Sequence, residues 1–266
     1  MNWGKMKTLF IYLFVALNAV LLTFYIYTVQ KNKTEIVQEK EIIERSMKND
    51  NITVEENATK RDNLGYVNVT ISDLKDIRKE DSGLKYEVEN VDKTSTLKVS
   101  SENAITNVNK GSYRAELDSF LLEKMKLSAN YIFSSYNSSK NEVIFEQQID
   151  SFRVFSNKNA RIVFSVESNG DIKNFTLTSV SNIRKDKNEA LVPSSQAINR
   201  LYHEDLIPKN CRVRTTLGYY TYISQTENQV LIPTWNVEIS DKDGQISNYY
   251  VDAINLNVLN RKGHSP

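Results

Sequence analysis

Residues 8–29, TLFIYLFVALNAVLLTFYIYTV, carry no charged side chain. At 1.5 Å per residue the run reaches about 33 Å as a helix, enough to cross a hydrocarbon core of about 30 Å. A cleavable leader has an apolar core of about 7–15 residues followed by a small-x-small cleavage site. This run leaves instead through Phe24-Tyr25-Ile26-Tyr27, and tyrosine rings suit the membrane–water boundary. The stretch is therefore expected to stay attached as a single transmembrane helix.

Before it lie residues 1–7, with Lys5, Lys7 and the α-amino group; after it come Lys31 and Lys33, diluted by Glu35, Glu39, Glu41 and Glu44. With a short tail on one side and the bulk of the chain on the other, the expectation is a cytoplasmic N-terminus at the cell membrane and an extracytoplasmic remainder. Inside the span Asn18 stands out. A carboxamide in hydrocarbon is costly without a hydrogen-bond partner, and Ala16 and Ala19 would allow another helix close by. The bland reading is an asparagine satisfied in part by its own backbone. Residues 30–60 are highly charged, lack Gly and Pro between 31 and 60, and read as a solvated stalk with some helix.

Beyond the stalk the period changes to two. GYVNVTI, GLKYEVENV and TSTLKVS alternate apolar with polar residues, as strands do. SYRAELDSFLLEKM follows, with Ser112 as N-cap and Leu117, Phe120, Leu121 and Leu122 as an apolar helical face. ANYIFSSY, EVIFEQQI, ARIVFSVE and IKNFTLTSV are four more strands, parted by turns at Asn137-Ser-Ser and Ser168-Asn-Gly-Asp171. The order then repeats. Pro193-Ser194-Ser195 opens a helix, SQAINRLYHEDL, and strands follow at CRVRTTLGYYTYI, VLIPTWNVEI, SNYYVDAI and NLNVL, with a hairpin turn at Asp241-Lys-Asp-Gly244. The fold class is α+β: two helix-plus-antiparallel-sheet units, roughly 111–181 and 193–261, within domains 61–181 and 182–266.

Chemistry is harder to find. Lys plus Arg number 34 and Asp plus Glu 33, so there is no basic excess of the kind a nucleic-acid binder carries. The glycines never stand closer than 18 residues apart, which excludes phosphate-cradling loops and the G-x-S-x-G elbow. His203 and Cys211 make no zinc-ligand cluster, and His264 lies in the tail. Cys211 reads as a small apolar residue at the start of a strand, and a lone cysteine forms no intrachain disulfide, as in exported bacterial proteins. Asp150, Glu167, Asp171 and Asp252 are unremarkable among 33 acids. The expectation is no enzyme, no cofactor and no metal site.

The aromatic cluster Tyr219, Tyr220, Tyr222, Trp235, Tyr249 and Tyr250 is more informative. Adjacent strand residues face opposite ways, so the pairs Tyr219/Tyr220 and Tyr249/Tyr250 cannot all be core. These four form a candidate exterior interface, against the plainer reading of half-exposed strand tyrosines.

Two segments carry a family resemblance. Met1-Asn2-Trp3, Lys5, Lys7-Thr8-Leu9-Phe10-Ile11 and Asn18 resemble the N-terminus of the YycI (WalI) family. Ile232-Pro233-Thr234-Trp235-Asn236-Val237 with Tyr249-Tyr250-Val251-Asp252-Ala253 resembles the closing hairpin of YycH/YycI-type domains and the PepSY-like pattern. The chain departs from that pattern at Asn255-Leu-Asn257, where a Gly commonly sits. The resemblance implies a non-catalytic regulator of a sensor histidine kinase in the YycG/YycF (WalK/WalR) two-component system, which governs cell-wall metabolism. It implies a YycH-like membrane partner and contacts through transmembrane helices, with Asn18 the natural contact residue. The rival expectations are an anchored module binding wall fragments or peptides in a tyrosine-lined groove, and an anchored wall hydrolase.

Overall fold

The computed structural model of the chain describes residues 3–55, 61–75, 83–91, 94–125, 131–221 and 227–260. Tyr222 and His264 lie outside the described residues. The chain divides into two compact units, Met1–Thr53 and Val54–Pro266.

In the first unit helix α1 (Trp3–Asn49) runs from the apolar stretch into the charged one without a break. No Gly or Pro interrupts that passage, and Glu41 pairs with Arg45 one turn on at 3.4 Å. The helix stops where Asn51 takes a φ of 57°. There the Ile52 N–H donates back to the Met47 carbonyl at 2.9 Å, a C-terminal cap that requires a left-handed residue.

The strands, in chain order, begin with β1 (Thr53–Glu55), β2 (Asn63–Leu64), β3 (Val67–Ile71), β4 (Leu84–Val91), β5 (Thr94–Ser101) and β6 (Thr106–Asn107). After helix α2 (Tyr113–Glu123) come β7 (Tyr131–Asn137), β8 (Glu142–Ile149), β9 (Phe152–Phe155), β10 (Arg161–Val166), β11 (Asp171–Leu177), β12 (Val180–Lys185) and β13 (Glu189–Ala190). Helix α3 (Ser194–His203) precedes β14 (Arg212–Tyr220), β15 (Asn228–Ser240) and β16 (Ile246–Asp252). Among the described residues fourteen strands join one sheet, in the order β12-β3-β15-β14-β9-β8-β10-β11-β5-β4. Off that path β1 lies beside β14, β16 beside β15, β6 beside β11 and β7 beside β8.

Alternation decides what is buried. Leu97 and Val99, Phe175 and Leu177, and Ile162, Phe164 and Val166 share one sheet face with Leu117 and Leu121 of α2 in a single apolar cluster. Phe120 meets Phe175 edge-on at 5.9 Å. Leu122, expected on the same helical face, is 56% exposed. Ser112 precedes α2 as expected, but its hydroxyl donates to Glu116 (2.6 Å) rather than accepting a backbone N–H. Helix α3 packs on β15 and buries Ala197, Ile198 and Leu201. It ends earlier than its periodicity suggested, because Asp205 turns left-handed and the Leu206 N–H closes on the Leu201 carbonyl.

One sheet runs through both of the expected helix-plus-sheet units, 111–181 and 193–261, within the compact unit Val54–Pro266, and β9 links the β8 part of it to the β14 part. Asp150 and Ser151, with φ of 51° and 69°, form a two-residue turn that folds β9 antiparallel onto β8. Its other edge pairs parallel with β14, Gly218 opposite Arg153 and Tyr220 opposite Phe155. A Cβ on Gly218 would meet the Arg153 carbonyl oxygen at 2.4 Å and the Phe155 ring at 2.5 Å, so glycine alone permits this approach. Asn-Leu-Asn-Val-Leu, expected as a final strand, is instead a turn. The Asp252 carboxylate accepts the Ile254 and Asn255 N–H groups, Leu256 has a φ of 58°, and only Val258 bridges to Val251.

Candidate contact surfaces

The apolar part of α1, Met6–Thr28, is long and apolar enough to cross a membrane, and none of it is buried within the structure. Asn18, Thr23 and Thr28 bond back one turn. Thr23 and Thr28 donate to the Ala19 and Phe24 carbonyls at 2.8 and 2.9 Å, and Asn18 Nδ2 donates to the Phe14 carbonyl at 2.8 Å. For the threonines this satisfies the only donor. Asn18 keeps an Oδ1 acceptor without a partner among the described residues, and a second N–H.

Helical geometry separates the residues that sequence grouped together. At about 100° per residue, Ala16 and Asn18 lie about 160° apart around the axis, whereas Ala16, Ala19 and Thr23 lie within about 60° of one another. The helix therefore presents two faces. One holds Asn18 with Ile11, Phe14, Leu22 and Tyr25; the other holds Ala16, Ala19 and Thr23, with Tyr12 in line with them one turn before Ala16.

In the sheet unit the expected tyrosines part company. Tyr219 and Tyr250 are buried, while Tyr220 and Tyr249 are half-buried. Tyr219 meets Phe152 edge-on at 6.1 Å, and burial with the nearby Asp150 charge pushes its phenol up to about 12. Tyr250 stacks between Phe155 (5.7 Å) and Tyr220 (4.6 Å), which closes β16 and β14 over β9.

Beneath this stack lies a polar centre that the sequence reading missed. Glu146 of β8 is buried and accepts the Ser156 N–H at 2.7 Å and the Ser134 hydroxyl at 3.0 Å, with Arg153 Nε at 3.7 Å. Burial raises its carboxyl above the ordinary value, and Arg153, those hydrogen bonds and Arg161 oppose the rise. Next to it, the Gln147 side chain brackets β12, donating to the Val180 carbonyl and accepting the Val180 N–H, both at 2.9 Å. Asn157 reaches across the join, Nδ2 donating to Thr221 Oγ1 (3.0 Å) and Gln229 Oε1 (2.8 Å). One signal was available: Gln147 interrupts the run Val143, Phe145, Ile149 on the apolar face of its strand.

The remaining chemistry-bearing side chains stand apart. Asp150 pairs with Lys185, Glu167 with Lys173 at 3.0 Å, Asp171 with Asn107 and Asn169, and Asp252 caps its own turn. Cys211 is buried just before β14, and burial raises its thiol; His203 ends α3. Among the described residues no three His, Cys, Asp or Glu side chains are grouped to hold a metal ion.

Among solved structures the fold is similar to an uncharacterized protein from Eubacterium rectale, at 8% identity and a TM-score of 0.44 over 79% of this chain and 90% of that one. It is also similar to the Bacillus megaterium YpeB C-terminal domain, at 12% identity and a TM-score of 0.43 over 86% of this chain and 97% of that one. No curated protein matches the chain. The family model described as YycI protein matches residues 30–254, and over that span, which holds the charged stretch and nearly all of the sheet unit, this chain belongs to the YycI family.

Proposed function

We propose that this chain is a non-catalytic, membrane-anchored regulator of a YycG (WalK)-type sensor histidine kinase that controls cell-wall metabolism. Family membership supports the link to that kinase system. In this reading the N-terminus is cytoplasmic, the sheet unit is extracytoplasmic, and the chain works in a complex with the kinase and a YycH-like membrane protein.

The observation that carries the reading is Asn18, exposed on an apolar helix with half of its amide unmet by its own backbone. In hydrocarbon such a group is stabilised by a hydrogen bond from a neighbouring helix, contributing about 1–2 kcal/mol. The second face, Ala16-Ala19-Thr23, offers close approach of another backbone. Two faces suit two partners: one helix hydrogen-bonded at Asn18 and another packed along the small residues. Outside the membrane, the half-buried Tyr220 and Tyr249 are the members of the aromatic cluster with area left to offer a partner.

The test is co-purification from membranes of the full-length chain and its Asn18→Leu and Ala19→Leu variants, with kinase and YycH-like partner both quantified. The expected result is that each substitution releases a different partner, by about 5- to 30-fold for Asn18→Leu. Equal recovery of both partners with all three proteins would refute the membrane contact.

A further inference from the structure

The sheet face turned away from α2 holds a cavity of about 370 Å³, within the range of small-ligand sites. Its floor is Thr96 of β5, Thr176 of β11 and Val163 of β10, the residues that alternate with the apolar core positions of those strands. Its wall is the segment between β9 and β10, which carries Lys158, together with Arg161 at the start of β10.

Three observations set this hollow apart from an ordinary wet sheet face. First, neither Lys158 nor Arg161 forms a salt bridge among the described residues, although Arg161 also acts on the buried Glu146, whereas Glu89, the acid on the rim, is held by Lys98 at 2.6 Å. The cavity is therefore left with a net positive wall. Second, the Thr96 and Thr176 hydroxyls have no protein partner among the described residues. Third, the wall is fixed. Asn157 and Asn159, flanking Lys158, are 1% and 0% exposed. Asn157 anchors to Thr221 and Gln229, its Oδ1 accepts the Asn159 N–H at 2.9 Å, and the Thr178 hydroxyl donates to the Lys158 carbonyl at 2.8 Å. A surface turn needs none of this to stay folded. Two cations thus stand on a fixed backbone over a row of hydroxyls, and a wall already folded before a ligand arrives loses less entropy on binding it.

We propose that this cavity binds a small anionic, hydroxyl-rich ligand of the sugar phosphate class, its phosphate between Lys158 and Arg161 and its hydroxyls on the threonine row. Val163 supplies an apolar patch beneath the sugar ring. Because Asn157 ties the wall to Thr221 and Gln229 across the β9 join, occupancy also bears on the packing of the two segments.

Titration of the full-length protein in detergent with glucose 6-phosphate, glucose and inorganic phosphate tests this. The expected result is saturable binding of glucose 6-phosphate at least tenfold tighter than either component alone. Lys158→Gln/Arg161→Gln is expected to weaken it at least tenfold, and Thr96→Val to weaken it without changing binding of inorganic phosphate. Unfolding midpoints recorded beside each titration separate lost binding from lost fold, and the exposed Lys158→Glu serves as a second variant that leaves the packing alone. Absence of saturable binding, equal binding by the double variant, or phosphate alone binding as tightly would each overturn the proposal.

Discussion

Polar side chains in apolar surroundings meet opposite fates in the two units. In the sheet unit Glu146, Gln147 and Asn157 are each met by two or more partners where the segments join. The exceptions among the described residues are two buried atoms, Ser135 Oγ and Asn236 Oδ1. In the apolar part of α1, long enough to cross a membrane, Asn18 is met only by its own backbone among the described residues. A buried polar group without a partner costs about 1–3 kcal/mol, so a satisfied one specifies an internal arrangement and an unsatisfied one calls for an external contact. The sheet unit uses these polar groups for its own internal hydrogen bonds; in the function proposed above, the helix keeps Asn18 for another molecule.

The largest effect is expected at Gly218. Gly218→Val drives a branched side chain into the Arg153 carbonyl and the Phe155 ring, and should destabilise the sheet unit by about 3 kcal/mol or more, read as a lowered urea midpoint. Asn157→Ala leaves Thr221 and Gln229 without its amide and should lower the same midpoint by about 2 kcal/mol. Asn18→Leu should leave that midpoint unchanged while weakening helix association by about 1 kcal/mol, which sharpens the contrast directly. Leu256→Gly relieves a left-handed leucine and should stabilise by up to about 1 kcal/mol, measured the same way.

The smallest effect is a slope. Burial holds the Glu146 carboxyl above its ordinary 4.5, so the folded state binds that proton more tightly than the unfolded chain. Its contribution is complete below 4.5 and is lost as pH rises toward the raised folded value. Unfolding midpoints taken across that window should fall with pH in the parent chain and run flatter in Glu146→Gln.

The sequence disclosed what periodicity governs. The uncharged run within 8–29, most of the alternating strands and the turns at Gly170 and Gly244 are local signals; the run lies inside α1, and of the expected strands Asn-Leu-Asn-Val-Leu alone is wholly a turn. It did not disclose how strands of distant segments share a sheet. Parallel pairing of β9 with β14 depends on the absence of a side chain at Gly218, and a lone glycine in a strand carries no sign of its partner. The Glu146 centre was hidden because a carboxylate on the solvent-facing alternation of β8 looks the same whether or not β9 and β16 later cover it. Ala16, Asn18 and Ala19 were legible as residues, but their division between two faces comes only from placing them around a helix.

In the proposed function two separate faces of α1 meet two separate helices. Single cysteines placed from Ile11 to Tyr27 in a Cys211→Ala background, cross-linked in native membranes, would map them. The account expects two periodic sets of adducts to two different proteins, one through 11, 14, 18, 22 and 25 and the other through 12, 16, 19 and 23. A single set, or adducts without a helical period, would contradict it.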